Sequence, residues 1–223
     1  MDAILDFFGF AFIQSQLPRF WDGFQLTLAI SAASMIGAVM WGLALVGPRM
    51  SGVPVIVVPI MAYIELVRNT PLLLQIYLFY FGLPLLGLPL SAFVCGVIAI
   101  ASQHGAFLCE IYRAGIQSIS RHQWEGALAL GMTRRRAMRQ VILPQAVLKV
   151  VPPIGNQLVI LIKDTSLVSA IGIIELTLSG KMVIERSGAS FEVFLFIAAA
   201  YLLLTTTFGV VLRIAENRLR ARQ

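Results

Sequence analysis

The sequence predicts an all-α, polytopic membrane protein with five transmembrane helices, and three observations predict it. Of the 223 residues, 58% are hydrophobic and 13% are charged, with mean hydropathy +0.85; a soluble domain usually carries about 25% charged residues. The apolar residues come in runs of about 20, the length a helix needs to cross a hydrocarbon core. Alternating ten-residue segments, which an outer-membrane barrel requires, are absent. A net charge of +6 would suggest nucleic acid in a soluble protein. Here the basic residues cluster on one side of the expected membrane, so membrane lipid is the expected surrounding and no nucleic-acid partner is expected.

The N-terminal MDAILDFFGF carries Asp2 and Asp6 without a basic residue, so it lacks the positive region of a cleavable signal peptide. It reads as a short interfacial segment anchored by Phe7, Phe8, Phe10 and Trp21. The first span is expected over 26–46, followed by the turn-rich Gly47-Pro48-Arg49-Met50-Ser51-Gly52. The second, over 53–81, is interrupted by the polar ELVRNTP, Glu65 to Pro71. Gly82, Pro84, Gly87 and Pro89 form a turn before the third span, over 92–109. A polar loop, 114–149, leads to a fourth span over 150–170, with Pro152 and Pro153 in its first turn, where proline is tolerated. The fifth span runs over 193–212.

Orientation follows from the cations. Arg49 lies between spans one and two; seven Lys and Arg residues, Arg113 to Lys149, lie between spans three and four; Arg213, Arg218, Arg220 and Arg222 lie in the tail. The other side has Arg19, Lys181 and Arg186 among Asp2, Asp6, Asp22, Glu185 and Glu192. Excess Lys and Arg marks the cytoplasm, so five spans place the N-terminus outside and the C-terminus inside.

The loop holds the most informative stretch, Glu125 to Pro144, EGALALGMTRRRAMRQVILP. Ser120 and Gln123 fit a capping box that opens a helix through Trp124 to Leu130. Gly131 supplies a left-handed end. Thr133 can cap a second helix, RRRAMRQVI, expected to stop before Pro144. Arg134, Arg135, Arg136 and Arg139 would also suit a basic segment on anionic headgroups.

Glu125-Gly126-Ala127, Gly131 six residues after Glu125, and Leu143-Pro144 closing the segment resemble the E-A-A loop of bacterial ABC importer permeases. Gly126 and Val141 are small departures from that pattern, which has Ala and Ile there. ELVRNTPLLLQIYLFYFGLP, EIYRAGIQSI and IKDTSLVSAIGIIEL look like the polar amino-acid uptake subfamily, so the resemblance covers most of the chain. It implies a single transmembrane domain, 1–223, of the type I ABC importer kind in a bacterial inner membrane. It implies that Glu125, Gly126, Ala127, Gly131, Leu143 and Pro144 couple the subunit to an ATPase. The implied partners are a second permease subunit, identical or paralogous, two ATP-binding cassette ATPase subunits, and an extracytoplasmic amino-acid-binding protein. This subunit would bind no cofactor of its own, with ATP and Mg held by the ATPase. The implied cargo is a polar amino acid of the glutamate/aspartate, glutamine, histidine or arginine type.

Charges inside spans cost about 2.5–3.5 kcal/mol each on insertion scales, so each needs a reason. Glu65 and Arg68, three apart on one helix face, read as a mutually neutralising pair or as part of the substrate path. Glu110 and Arg113 repeat the spacing near a span end, where snorkelling is cheap. Lys163 and Asp164 are adjacent and so point about 100° apart on a helix. With Thr165 and Ser166 they put a cation, an anion and two hydroxyls within one turn, which suits the ammonium and carboxylate of an amino acid. Asp164 is the first candidate as a partner for a substrate ammonium or cationic side chain; a solvated turn at the outer interface is the alternative. Gln75, Glu175 and Asn156 are weaker candidates that can equally bond another helix.

Other chemistries find little support. Cys95 and Cys109 would lie roughly 21 Å apart on one helix, beyond disulfide reach. His104 and His122 lack partners at metal-ligand spacing, so no metal site is expected. Gly180-Lys181-Met182 has Glu175 and Met182 where a phosphate loop needs Gly and Ser or Thr. A Ser/His/Asp set, HExxH or paired catalytic aspartates are missing, so the chain is not expected to be an enzyme. A secondary transporter without an ATPase partner is the alternative function. It usually shows inverted repeats, which are not seen here, and it gives no reason for the loop.

Overall fold

A computed structural model describes residues 10–220; Phe7 and Phe8 of the expected interfacial segment, and Arg222, lie outside the described residues. Helix α1 (Phe10–Arg49) starts well before the expected first span. Its early part mixes Gln14, Ser15 and Arg19 with buried Ile13 and Phe20, a half-polar pattern that a search for apolar runs overlooks. The stretch expected as the second span is interrupted by a sharp bend of 108°. α2 (Pro54–Asn69) ends at Thr70, and α3 (Leu72–Tyr77) restarts after Pro71, whose ψ of 134° is extended. The chain then passes a π turn (Leu78–Gly82) and a short turn (Leu83–Leu85). Backbone groups freed at such a break need partners in a membrane. Gln75 supplies one, its Nε2 donating to the Thr70 carbonyl at 3.2 Å and to Thr70 Oγ1 at 2.9 Å.

α4 (Ala92–Gln117) carries the third span beyond its expected end and holds both Cys95 and Cys109, buried and free. α5 (Arg121–Ala129) and α6 (Arg134–Ala137) form the polar loop. The second loop helix does not stop before Pro144. It passes through a π turn (Met138–Ile142) into α7 (Leu143–Asp164), so Pro152 and Pro153 lie inside a helix rather than in its first turn. A π turn bonds each N–H one residue further back than an α-helix does, as Leu143 N–H does to the Met138 carbonyl. That change of register is where the missing N–H of Pro144 falls. A 3-10 segment (Thr165–Ile171) ends at Gly172, followed by α8 (Leu176–Ser187) and α9 (Ser190–Arg220).

Among the described residues, four helical runs are long and apolar enough to cross a membrane, or up to five if the pair Pro54–Asn69 and Leu72–Leu85 is one broken span. Exposed apolar side chains along them, such as Val55, Leu74, Leu202 and Leu203, suit hydrocarbon surroundings.

The chain divides into two compact units. The first takes the described part of Met1–Ile36 with Thr70–Ile100 and Ile160–Phe208. Its core joins Ile13 and Phe20 of α1 to Leu176 and Val183 of α8 and Val193 and Ile197 of α9. The second takes Gly37–Asn69, Ala101–Val159 and the described part of Gly209–Gln223. One of its cores gathers Leu45, Ile64, Val67, Ala106 and Cys109; another gathers Ile119, Ile142 and Ala146 around the loop.

Candidate functional site

The loop folds as a compact knob. α5 opens at Ser120, whose backbone is extended as a cap requires, but no side-chain cap bond forms there. The expected capping box is therefore absent, because the Gln123 side chain turns away and its Oε1 accepts from Gln145 Nε2 at 3.2 Å. The other end is as expected. Gly131 has φ of +77°, the Met132 N–H reaches the Ala127 carbonyl at 3.2 Å, and the Gly131 N–H reaches Leu128 at 3.0 Å. Those two bonds are a Schellman ending, and only glycine enters it without strain. Thr133 then caps α6, its Oγ1 accepting from the Arg136 N–H at 3.3 Å.

Two faces result. Ala127, Ala137, Ile142 and Ala146 are buried, with Trp124, Met138 and Val141 packed around Ile142 and Ala146. Glu125, Leu130, Leu143 and Pro144 are exposed, as are Arg134, Arg135, Arg136 and Arg139. Glu125 is held by Arg121, Nε to Oε1 at 2.8 Å, with His122 Nδ1 at 3.6 Å from Oε2. The pair is a full helical turn apart and largely solvated, so it orients the carboxylate more than it stabilises the fold. Gly126 has open space where a Cβ would stand.

The substrate-path candidates are shared between the two compact units. Glu65 and Arg68 lie in one unit; Gln75 and Lys163 to Ser166 lie in the other. Within the latter, α3, which carries Gln75, packs against the 3-10 segment that begins at Thr165. Thr165 is buried and its Oγ1 donates to the Ile162 carbonyl at 2.7 Å. Ser166 Oγ likewise donates to the Lys163 carbonyl at 2.8 Å. Lys163 is exposed and Asp164 half-buried.

Among the described residues no ion pair joins Glu65 to Arg68. The Arg68 guanidinium instead lies 4.8 Å from the centroid of the Phe107 ring, a cation–π contact that replaces the expected carboxylate. Glu110 does pair with Arg113, at 2.7 Å, and with Arg49 as well, at 3.2 Å.

Glu175, ranked low by sequence, is fully buried and is the N-cap of α8. Burial pushes its pKa up, against the pull of the N–H and O–H donors around it. The signal that marks it is the charge in IGIIEL, a carboxylate in an apolar run with no cation within helical reach. Gly180-Lys181 lies mid-helix in α8, which rules it out as a phosphate loop.

A sequence profile described as the binding-protein-dependent transport system inner membrane component matches residues 45–221. The chain is 38% identical over 198 residues to the probable glutamine ABC transporter permease protein GlnM of Bacillus subtilis (strain 168), covering 89% of this chain and 92% of that one. It is 34% identical over 215 residues to the glutamine transport system permease protein GlnP of Escherichia coli (strain K12), covering 96% and 98%. Among solved structures, one described as an amino acid ABC transporter with histidines superposes with a TM-score of 0.89 at 37% identity, over 94% of this chain and 98% of that one.

Proposed function

The chain belongs to the family of binding-protein-dependent transport system inner membrane components, and from that premise we propose that it carries polar amino acids inward, glutamine first among them. It is a multi-pass inner-membrane transport subunit, part of a transporter complex, and not itself an enzyme. The observation that carries the substrate class is likeness over nearly the whole chain to glutamine permeases. The complete machine would pair this subunit with a second permease, two ATP-binding cassette ATPases that hold ATP and Mg, and an extracytoplasmic binding protein. Its N-terminus lies outside and its C-terminus inside, in keeping with the basic bias of the loop and tail.

Coupling runs through the knob. A helix packed on buried Ala127 and ending at Gly131 presents Glu125 and Leu130 to solvent, which is what a docking surface for a soluble ATPase needs. The substrate path includes the turn Lys163 to Ser166, with Asp164 facing the ammonium. A secondary transporter has no use for such a knob.

The test is reconstitution of the subunit with a partner ATPase and an amino-acid-binding protein. Glutamine should stimulate ATP hydrolysis and enter the vesicles, and leucine should do neither. Uptake driven by an ion gradient without ATP would overturn the reading.

A further inference from the structure

Glu175 does more than end a loop. Its Oε1 accepts from the Leu178 N–H at 2.9 Å, and its Oε2 accepts from the Thr177 N–H at 2.9 Å and from the Tyr201 hydroxyl of α9 at 2.9 Å. Thr27 of α1 closes the other side: its Oγ1 lies 3.4 Å from Oε2 and accepts from the Leu176 N–H at 3.2 Å. Capping alone is better served by Ser, Thr, Asp or Asn. The extra methylene of glutamate is what lets one side chain cap α8 and reach Tyr201 together. A buried carboxylate without a cation is costly to keep unless donors surround it, as the two N–H groups and the Tyr201 hydroxyl do for Glu175.

Packing supports the same connection. A Cβ on Gly180 would run into Ile197 of α9, so α8 approaches α9 closely there. α8 also packs against the 3-10 segment Thr165–Ile171, and Lys181 Nζ donates to Ser169 Oγ at 3.3 Å. That segment continues directly from Lys163 and Asp164.

We propose that Glu175 is a positioning residue for transport: by tying α8 to α1 and α9, it fixes the 3-10 segment and, with it, the polar turn Lys163 to Ser166. Substrate does not touch it. The inference rests on the reading of that turn as part of the substrate path.

The test uses the complete transporter in proteoliposomes, with Glu175→Asp and Tyr201→Phe. Aspartate still caps α8 but is one methylene short of Tyr201; phenylalanine keeps the ring and removes the hydroxyl. Both variants should assemble normally, and the amides of Thr177 and Leu178 should stay protected from hydrogen exchange. The half-saturating concentration for glutamine uptake should rise about tenfold, the low end for losing one bond to a charged group. Glutamine binding by the isolated receptor should not change, and amides of Thr165–Ile171 should exchange faster. Wild-type uptake in both variants, or a loss explained wholly by less assembled complex, overturns the proposal. Faster exchange in the 3-10 segment with normal transport by Asp164→Asn and Lys163→Met supports the hold of Glu175 on the segment and removes the turn from the substrate path.

Discussion

Gly126 is the residue where this loop departs most visibly from the pattern it otherwise follows, and its surroundings leave room for the alanine of that pattern. A methyl group there would meet nothing within 4 Å. Gly126→Ala should therefore leave uptake unchanged and stabilise α5 by up to about 1 kcal/mol, since glycine is the poorer helix former; thermal unfolding of the purified subunit, followed by helix content, checks it. Asp164 is a sharper case. Asp164→Asn keeps shape and hydrogen bonding while removing charge, so the subunit should assemble normally. Loss of a charge-assisted contact, about 1.5–3 kcal/mol, should raise the half-saturating concentration for uptake roughly ten- to a hundred-fold. A normal concentration dependence would take Asp164 out of the proposed path.

Single residues also mark where sequence reading succeeds. Gly131 and Thr133 were legible because a left-handed glycine and an N-cap threonine act locally, within one turn of themselves. Glu65 with Arg68 was not, because helical spacing is silent about Phe107, a ring from another helix that captures the arginine. The role of Glu175 is hidden from the sequence for the same reason. Its partners Thr27 and Tyr201 stand far from it in the chain, and no local pattern brings them together.

At the scale of elements, the apolar runs place the spans, but not their ends. α1 and α4 continue past the hydrocarbon length, because hydropathy registers what lipid requires and not where a helix stops. Pro144 was expected to end a helix and does not, since the π turn ahead of it changes the bonding register. The knob itself is legible in the sequence as helix, glycine turn, helix, and its proposed role predicts the behaviour of two variants. Glu125→Lys reverses the exposed charge, and Gly131→Arg forces a branched-off side chain into a left-handed backbone at a cost of roughly 1–2 kcal/mol. Both should insert in the membrane yet fail to retain the ATPase on purification and lose substrate-stimulated hydrolysis. Stimulation at the wild-type level in both would end the docking assignment.

For the whole molecule, orientation is the claim most exposed to experiment. Single cysteines at Ser120 and Ser187 should behave oppositely toward an impermeant thiol reagent in intact cells, the first shielded and the second labelled. Labelling of Ser120 from outside would invert the topology. That expectation comes from charge bias over long stretches, a global property that the sequence carries openly. How substrate-path candidates distribute was not legible in the same way. Division of Glu65 and Arg68 from Gln75 and Asp164 into different compact units follows from three-dimensional packing alone.

The small core under the knob has a mechanical meaning. Ile119, Ile142 and Ala146, with Trp124 and Met138 around them, give this loop a packed interior of its own. A slack tether absorbs a displacement as conformational entropy, bending wherever its backbone is soft. A close-packed element has low compliance, because any deformation must open voids among its side chains. A push of an ångström or two delivered at Glu125 would then arrive at the root of α7 little diminished, and the work done by a partner would go into moving helices instead of deforming the part it presses on.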